Sequence, residues 1–278
     1  MKTNLHENGW VLNIDEDIKS LTQSQVKEVA KLINRHLVVT FKNQDLEESD
    51  EVKFCGTMGD VQIVYGYNEQ ATRVSSPEGI IYVTGKRPDT GEEGLFGHKE
   101  VLDWHTHQPA NPERLPYTYL YSKAGSIGSV TSWINMILAY NDLDDDVKQR
   151  LESIRVYCGF ERGKFSGTDF FNEFVDRNNP IKLIHTNIEG KTGLYFPMLQ
   201  ILDIDTNTIS KDEWDQLYKH LYEHVNNSKY IYDHHWEDND VVVFEQWISI
   251  HKRWPFENIN DRLLHRIAMD YNHVYSKS

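Results

Sequence analysis

Two histidines one residue apart, His105 and His107 in LDWHTHQPANPERLP (102–116), have the clearest capacity for chemistry. On an extended strand residues i and i+2 face the same way, roughly 6–7 Å apart along the backbone, so both imidazoles can reach one metal ion. Neutral imidazole suits iron, zinc or copper. A pair is not yet a centre. A third ligand is needed, and His185, His224, His234, His235, His251, His265 and His273 all compete for that role. Spacing does not choose among them, and the same pair also fits a solvent-facing edge strand.

The elements that must position such a pair read as follows. TQSQVKEVAKLINRHL (22–37) carries apolar residues at Val26, Val29, Ala30 and Ile33, one face of a helix, with Thr22 and Gln25 placed as a capping box. A buried strand, LVVTF (37–41), follows it, and then a short helix over 49–58 that ends at Gly59. Residues 85–100 are rich in glycine and charge and read as a loop. Short β-type runs come next: YTYLYSK (117–123), SIRVYCGF (153–160), IKLIH (181–185), GLYFP (193–197), VVVF (241–244) and LLHRIAMDY (263–271). Helical patterns separate them at 133–142, 144–152 and 210–225. Strands and helices do not alternate regularly, which argues against a parallel α/β sheet and for a β-sandwich or jelly roll with helical decoration.

Composition bounds the function. A chain of 278 residues with 39% hydrophobic residues supplies one sizeable core, and one domain spanning 1–278 is expected. The 12% of aromatic residues suits strands and a small-molecule pocket. A net charge of −14 opposes nucleic acid and anionic lipid as partners. Two cysteines, Cys55 and Cys158, are too few for a disulfide framework and lack zinc-site spacing, so both read as reduced core thiols. The start, MKTNLHENGW, has no apolar run of the signal-peptide kind, and no stretch approaches the ~20 apolar residues of a bilayer span. A cytoplasmic location follows as the expectation.

Five segments in order give a resemblance that covers most of the chain. They are HLVVTFKNQDL (36–46), GLFGHKEVLDWHTH (94–107), TSWINMILAYNDL (131–143), NPIKLIHTNIEGKTGLYF (179–196), and FEQWISIHKR followed by RLLHRIAMDY. Together they resemble the taurine dioxygenase family of iron(II)/2-oxoglutarate oxygenases. The resemblance implies His105 as first iron ligand and His251 as the distal one. It implies Arg266, 15 residues beyond His251, as the arginine on the far carboxylate of 2-oxoglutarate, and Thr131 as the hydroxyl on the same carboxylate. A planar guanidinium suits a carboxylate better than lysine does. Alternation along the strand puts Leu264, Arg266 and Ala268 on one face, with His265 pointing the other way into packing. Trp133 and Asn135 border the implied active site and read equally as packing and turn residues. Arg73 and Arg253 are candidates for an anionic group of the substrate.

The resemblance breaks at one position. The family normally places Asp or Glu two residues after the first histidine, and this chain has His107 there. Glu245 lies six residues before His251, roughly 20 Å along an extended strand, and reaches it only around a sharp bend. Asp103 shares a strand face with His105 but lies on the wrong side for the family's arrangement. Histidine at 107 completes a three-imidazole facial set. The alternative, an open coordination position, is reached in halogenating relatives with Gly or Ala rather than a bulky side chain.

The expected fold is therefore α+β and mainly β, a double-stranded β-helix (a cupin-like jelly roll) with helices packed on it. The expected function is oxidation, by hydroxylation, of a small molecule with iron(II), 2-oxoglutarate and O₂. Desaturation or halogenation, a three-histidine dioxygenase independent of 2-oxoglutarate, and a binding protein without O₂ chemistry are the rival readings. Neither a nucleic acid nor a membrane partner is expected; self-association into a homo-oligomer is compatible with the sequence.

Overall fold

The computed structural model describes residues 1–64, 75–87, 90–91, 94, 99–109, 115–160, 174–175 and 177–275. Along the chain the strands begin with β1 (Thr3–Leu5), β2 (Val11–Ile14), β3 (Val38–Phe41), β4 (Ile81–Thr84), β5 (Leu102–His105), β6 (Tyr117–Ala124) and β7 (Val130–Asn135). Then come β8 (Arg155–Phe160), β9 (Phe174–Val175), β10 (Ile181–Lys182), β11 (Ile184–Thr186), β12 (Thr192–Leu194) and β13 (Ile201–Ile204). The last four are β14 (Ile231–His235), β15 (Val241–Glu245), β16 (Ser249–Arg253) and β17 (Leu263–Met269).

Two sheets form the frame. The larger runs β1-β2-β3-β15-β6-β17-β4 and the smaller β14-β7-β16-β5. Successive strands swap sheets: β4 lies in the larger, β5 in the smaller, β6 in the larger and β7 in the smaller, and β14 to β17 repeat the alternation. That winding is the double-stranded β-helix, and the expected fold class holds. Strands β8–β13 form outlying sheets and a hairpin.

Alternation of side chains explains how the larger sheet serves two cores. On β6, Tyr117, Tyr119 and Tyr121 join Val241, Val243, Ile267 and Met269 beneath the helices Gln23–His36 and Glu48–Met58. The intervening residues face the other sheet, where Leu120, Leu264, Val242 and Phe244 meet Trp133 and Trp236. His265 follows the same rule, turning to the helix side, where its Nδ1 lies 2.8 Å from Glu51 Oε1. The first helix starts at the predicted box, with Thr22 and Gln25 each satisfying the other's backbone N–H. The second begins at Glu48 and stops at Gly59, as expected.

One helix differs from expectation. The pattern over 133–142 is a strand as far as Asn135 and a helix only over Met136–Asn141. Pairing of Trp133 with His251 and of Asn135 with Ser249 fixes the extended part, so tertiary pairing overrides local periodicity. At the turn between β6 and β7, Gly125 has φ +67°, and a Cβ there would collide with the Asp261 carbonyl. The absence of that side chain lets the turn press against the segment that leads into β17. Among the described residues no helix is long and apolar enough to cross a membrane.

Candidate metal and cosubstrate site

His105 ends β5 and His251 sits directly opposite it on β16. Their ring centroids are 4.1 Å apart, and His107 comes within 4.8 Å of His251. One nitrogen from each ring lies within 4.8 Å of the other two. At metal–imidazole distances of about 2.0–2.1 Å, facial ligand nitrogens sit about 3 Å apart, so a bound ion would draw the three rings together. Where spacing left seven candidates, cross-strand register puts His251 beside the pair. His251 is adjacent; His185 packs edge-on against Trp247, and His234 is held by Tyr232 and Asp240. His265 is on the far face of its sheet.

The hydrogen bonds of the three rings leave nitrogens for a ligand role. His105 Nδ1 donates to the Asp103 carbonyl at 2.7 Å, which sets the tautomer whose Nε2 carries the lone pair. His107 Nδ1 lies 2.9 Å from Thr118 Oγ1. His251 Nδ1 is buried with no hydrogen-bond partner among the described residues. Burial holds all three rings neutral: His105 is pushed down to about 4, and His107 and His251 well below the usual histidine range. Neutral rings can bind metal without first losing a proton.

Neither carboxylate candidate joins them. The Glu245 side chain accepts the backbone N–H groups of Trp247 and Ile248 at 3.1 and 2.9 Å, stabilising the bend between β15 and β16. Asp103 turns away toward Lys252 Nζ at 3.1 Å, helped by a register shift between β5 and β16.

Beside the imidazoles lies a pocket walled by Val83, Leu120 and Leu264 and lined by Thr131, Arg253, Arg262 and Arg266. Arg262 and Arg266 are 2% and 8% exposed, and among the described residues neither has a hydrogen bond or a carboxylate partner. Burial pushes Arg262 down to about 9 and Arg266 down to about 10, both still cationic at pH 7. Two buried, uncompensated cations are costly in isolation and call for an anion. The field of Arg266 reaches all three imidazoles. Arg262 instead feels Arg253, whose backbone pairs with Thr131. The charge of Arg253 also acts on His105, and all three arginines line the same pocket.

Other expected residues fall as follows. Arg253 lines the pocket while its Nη2 donates to the Glu100 carbonyl at 2.7 Å. Trp133 is fully buried, stacked on His251 at 6.4 Å and edge-on against Phe244. Asn135 is the N-cap of the helix Met136–Asn141, its Oδ1 accepting from Ile137 and Leu138 N–H, so its side chain is committed to structure. Arg73 lies outside the described residues. Sequence reasoning missed Arg262, although it stands four residues before Arg266, on the same face of an extended segment. It also missed Thr118, Gln200, Gln246 and Trp236, which no local pattern marks.

A β-helix that gathers three imidazoles beside guanidiniums with no partner among the described residues matches the class of 2-oxoglutarate-dependent non-haem iron oxygenases. The chain belongs to the taurine catabolism dioxygenase TauD, TfdA family, whose model matches residues 9–268. It is an oxidoreductase of that class, with iron(II) and 2-oxoglutarate as cofactors. Among curated relatives, pentalenolactone F synthase of Streptomyces avermitilis is 25% identical, over 90% of this chain and 86% of that protein. The alpha-ketoglutarate-dependent 2,4-dichlorophenoxyacetate dioxygenase of a Burkholderia species is 22% identical, over 89% and 86%. Among solved structures, AAD-2 with Mn(II) and N-oxalylglycine superposes with a TM-score of 0.79 at 20% identity, covering 97% of both chains. A taurine dioxygenase from Burkholderia xenovorans gives 0.75 at 20%, over 96% of this chain and 88% of that one.

Proposed function

We propose that the chain, as one oxygenase domain, hydroxylates a small molecule at an iron(II) centre held by His105, His107 and His251. The observation that carries this reading is the neutral three-imidazole cluster lying in the same pocket as two guanidiniums that have no partner among the described residues. Iron(II) with 2-oxoglutarate supplies the O₂-activating chemistry of the family, in which one oxygen atom goes to the substrate C–H bond and the other to succinate, with release of CO₂. The protein's own residues bind, orient and exclude water.

Cosubstrate binding divides between two ends of the pocket. Arg266, whose charge acts on all three imidazoles, meets the carboxylate nearer the metal. Arg262 and the Thr131 hydroxyl meet the far carboxylate. This departs from the expectation that Arg266 and Thr131 share the far carboxylate, and the electrostatic neighbourhoods of the two arginines support the change. Trp236 Nε1 donates to Thr131 Oγ1 at 2.9 Å, so the hydroxyl hydrogen is left to point elsewhere, as a carboxylate acceptor requires. Apolar walls at Val83, Leu120 and Leu264 limit water around these charges and strengthen each contact.

The test is anaerobic addition of iron(II) and 2-oxoglutarate. A weak visible charge-transfer band is expected, followed on admission of O₂ by succinate formation. No band, together with no 2-oxoglutarate binding by calorimetry, removes the reading.

A further inference from the structure

We propose that Thr118 is a positioning residue that adapts this site to an imidazole at position 107. The inference rests on His107 being a ligand, as argued above. Thr118 belongs to β6, in the larger sheet, whereas His105 and His251 belong to the smaller one. It is fully buried, and its backbone is paired on one side with Phe244 and on the other with Ala268. Its main chain is therefore held by three strands, independently of any metal. The Thr118 hydroxyl lies 2.9 Å from His107 Nδ1 and has no other hydrogen-bond partner among the described residues.

The backbone around His107 is fixed independently. Gln246 Oε1 accepts the His107 N–H at 3.1 Å, and the Gln246 carbonyl accepts the Thr106 hydroxyl at 2.9 Å. Gln200 closes a two-way bond on Thr106, taking its N–H at 2.8 Å and giving to its carbonyl at 2.9 Å. With the main chain held by two glutamines, the remaining freedom of His107 is rotation of its side chain. Thr118 removes that freedom by engaging one ring nitrogen.

The consequence is chemical as well as geometric. A metal on Nε2 requires the ring hydrogen on Nδ1, and Thr118 Oγ1 is then its acceptor. Without that acceptor the metal-loaded protein carries a buried N–H with no partner. An aspartate at 107 would carry its oxygens at the ring's Nδ1 and Cδ2 positions and has no N–H for which Thr118 would serve as acceptor. The pairing of Thr118 with His107 is thus suited to imidazole.

Cobalt(II) affinity of the full chain, measured by anaerobic titration of its visible d–d bands, tests this. Thr118→Val, which removes the hydroxyl at nearly constant volume, is expected to weaken cobalt(II) binding by about 10–100-fold, and Thr118→Ser to restore it. In a His107→Ala background, Thr118→Val should change affinity little further. Thermal unfolding of the metal-free variants verifies that each is folded, with Thr118→Ser carrying the comparison if the valine variant is not. Unchanged affinity in Thr118→Val, equal losses with and without His107, or a Thr118→Ser variant as weak as the valine one would each overturn the inference. If His107→Ala itself binds cobalt(II) like wild type, it is the three-histidine reading that fails.

Discussion

Trp236 donates its indole N–H to the Thr131 hydroxyl across 2.9 Å of fully buried space. The donor follows β14 and the acceptor lies on β7, next to the pocket that holds Arg262. Because the indole can only donate, it occupies an oxygen lone pair and leaves Thr131 as a donor to whatever enters the pocket. The Trp236 ring is itself held, 4.6 Å from His234, whose two nitrogens are tied to Tyr232 and Asp240.

Trp236→Phe keeps the packing and removes the N–H. Its affinity for 2-oxoglutarate should fall about 3–10-fold, the range of one net hydrogen bond, with metal binding unchanged. Calorimetry on the manganese(II) form measures both. Equal affinity would mean that Thr131 needs no such anchor.

Arg266→Ala and Arg262→Ala should each weaken 2-oxoglutarate binding by about 2–5 kcal/mol while retaining metal, because each leaves a desolvated carboxylate unpaired. The two separate with pyruvate, a 2-oxoacid lacking the far carboxylate. Its binding should depend on Arg266 and be nearly indifferent to Arg262. Equal sensitivity of pyruvate to both would rule out the two-ended assignment.

In the proposed centre, three neutral imidazoles would leave the ferrous ion one positive charge above that of a relative with a carboxylate. Bound 2-oxoglutarate, a dianion, then gives a neutral complex, with less electron donation and slower O₂ activation. His107→Ala should lose iron affinity, whereas His107→Asp should keep iron and alter the rate of 2-oxoglutarate decarboxylation. Elemental analysis and succinate yield measure these. A His107→Ala protein that binds iron and turns over like wild type would make His107 a bystander.

Acid should destabilise the metal-free protein. Burial lowers His105 to about 4 in the folded state, from 6.5, and pushes His107 and His251 well below 6.5. The unfolded chain therefore takes up protons first as pH falls below 6.5, and folding stability drops from there toward pH 4, by ~1.4 kcal/mol per pH unit for each such group. Urea unfolding at pH 7 and pH 5 measures the slope, and His107→Ala should reduce it by about one proton. A slope identical in the two proteins would show that His107 is not held neutral by the fold.

Asn135→Ala removes a helix cap and no ligand contact. A loss of about 1 kcal/mol in stability is expected, with 2-oxoglutarate affinity unchanged. A matching loss of cosubstrate affinity would return Asn135 to the active site.

Much of the fold was legible because the rules that shape its strands and helices are local. Alternation along LLHRIAMDY places Leu264 and Arg266 toward the pocket and His265 toward the helices, as the structure has them. The Thr22–Gln25 box marks a helix start from four neighbouring residues. The spacing of His105 and His107 marks them as able to share one metal, though it fits an edge strand equally. The third ligand was a different matter: seven histidines competed, and family resemblance, not spacing, pointed to His251.

Tertiary structure decided what spacing could not. His251 joins His105 because β16 and β5 pair in a register that puts the two residues opposite each other. Trp133 is in a strand, and Asn135 is a cap, because β7 is pinned between β14 and β16. Thr118 reaches His107, and Trp236 reaches Thr131, through contacts between strands distant in the chain, where no periodicity links donor to acceptor. A sequence encodes which face a residue takes through its immediate neighbours; which residue waits on the opposite face is fixed only when the sheets close on each other.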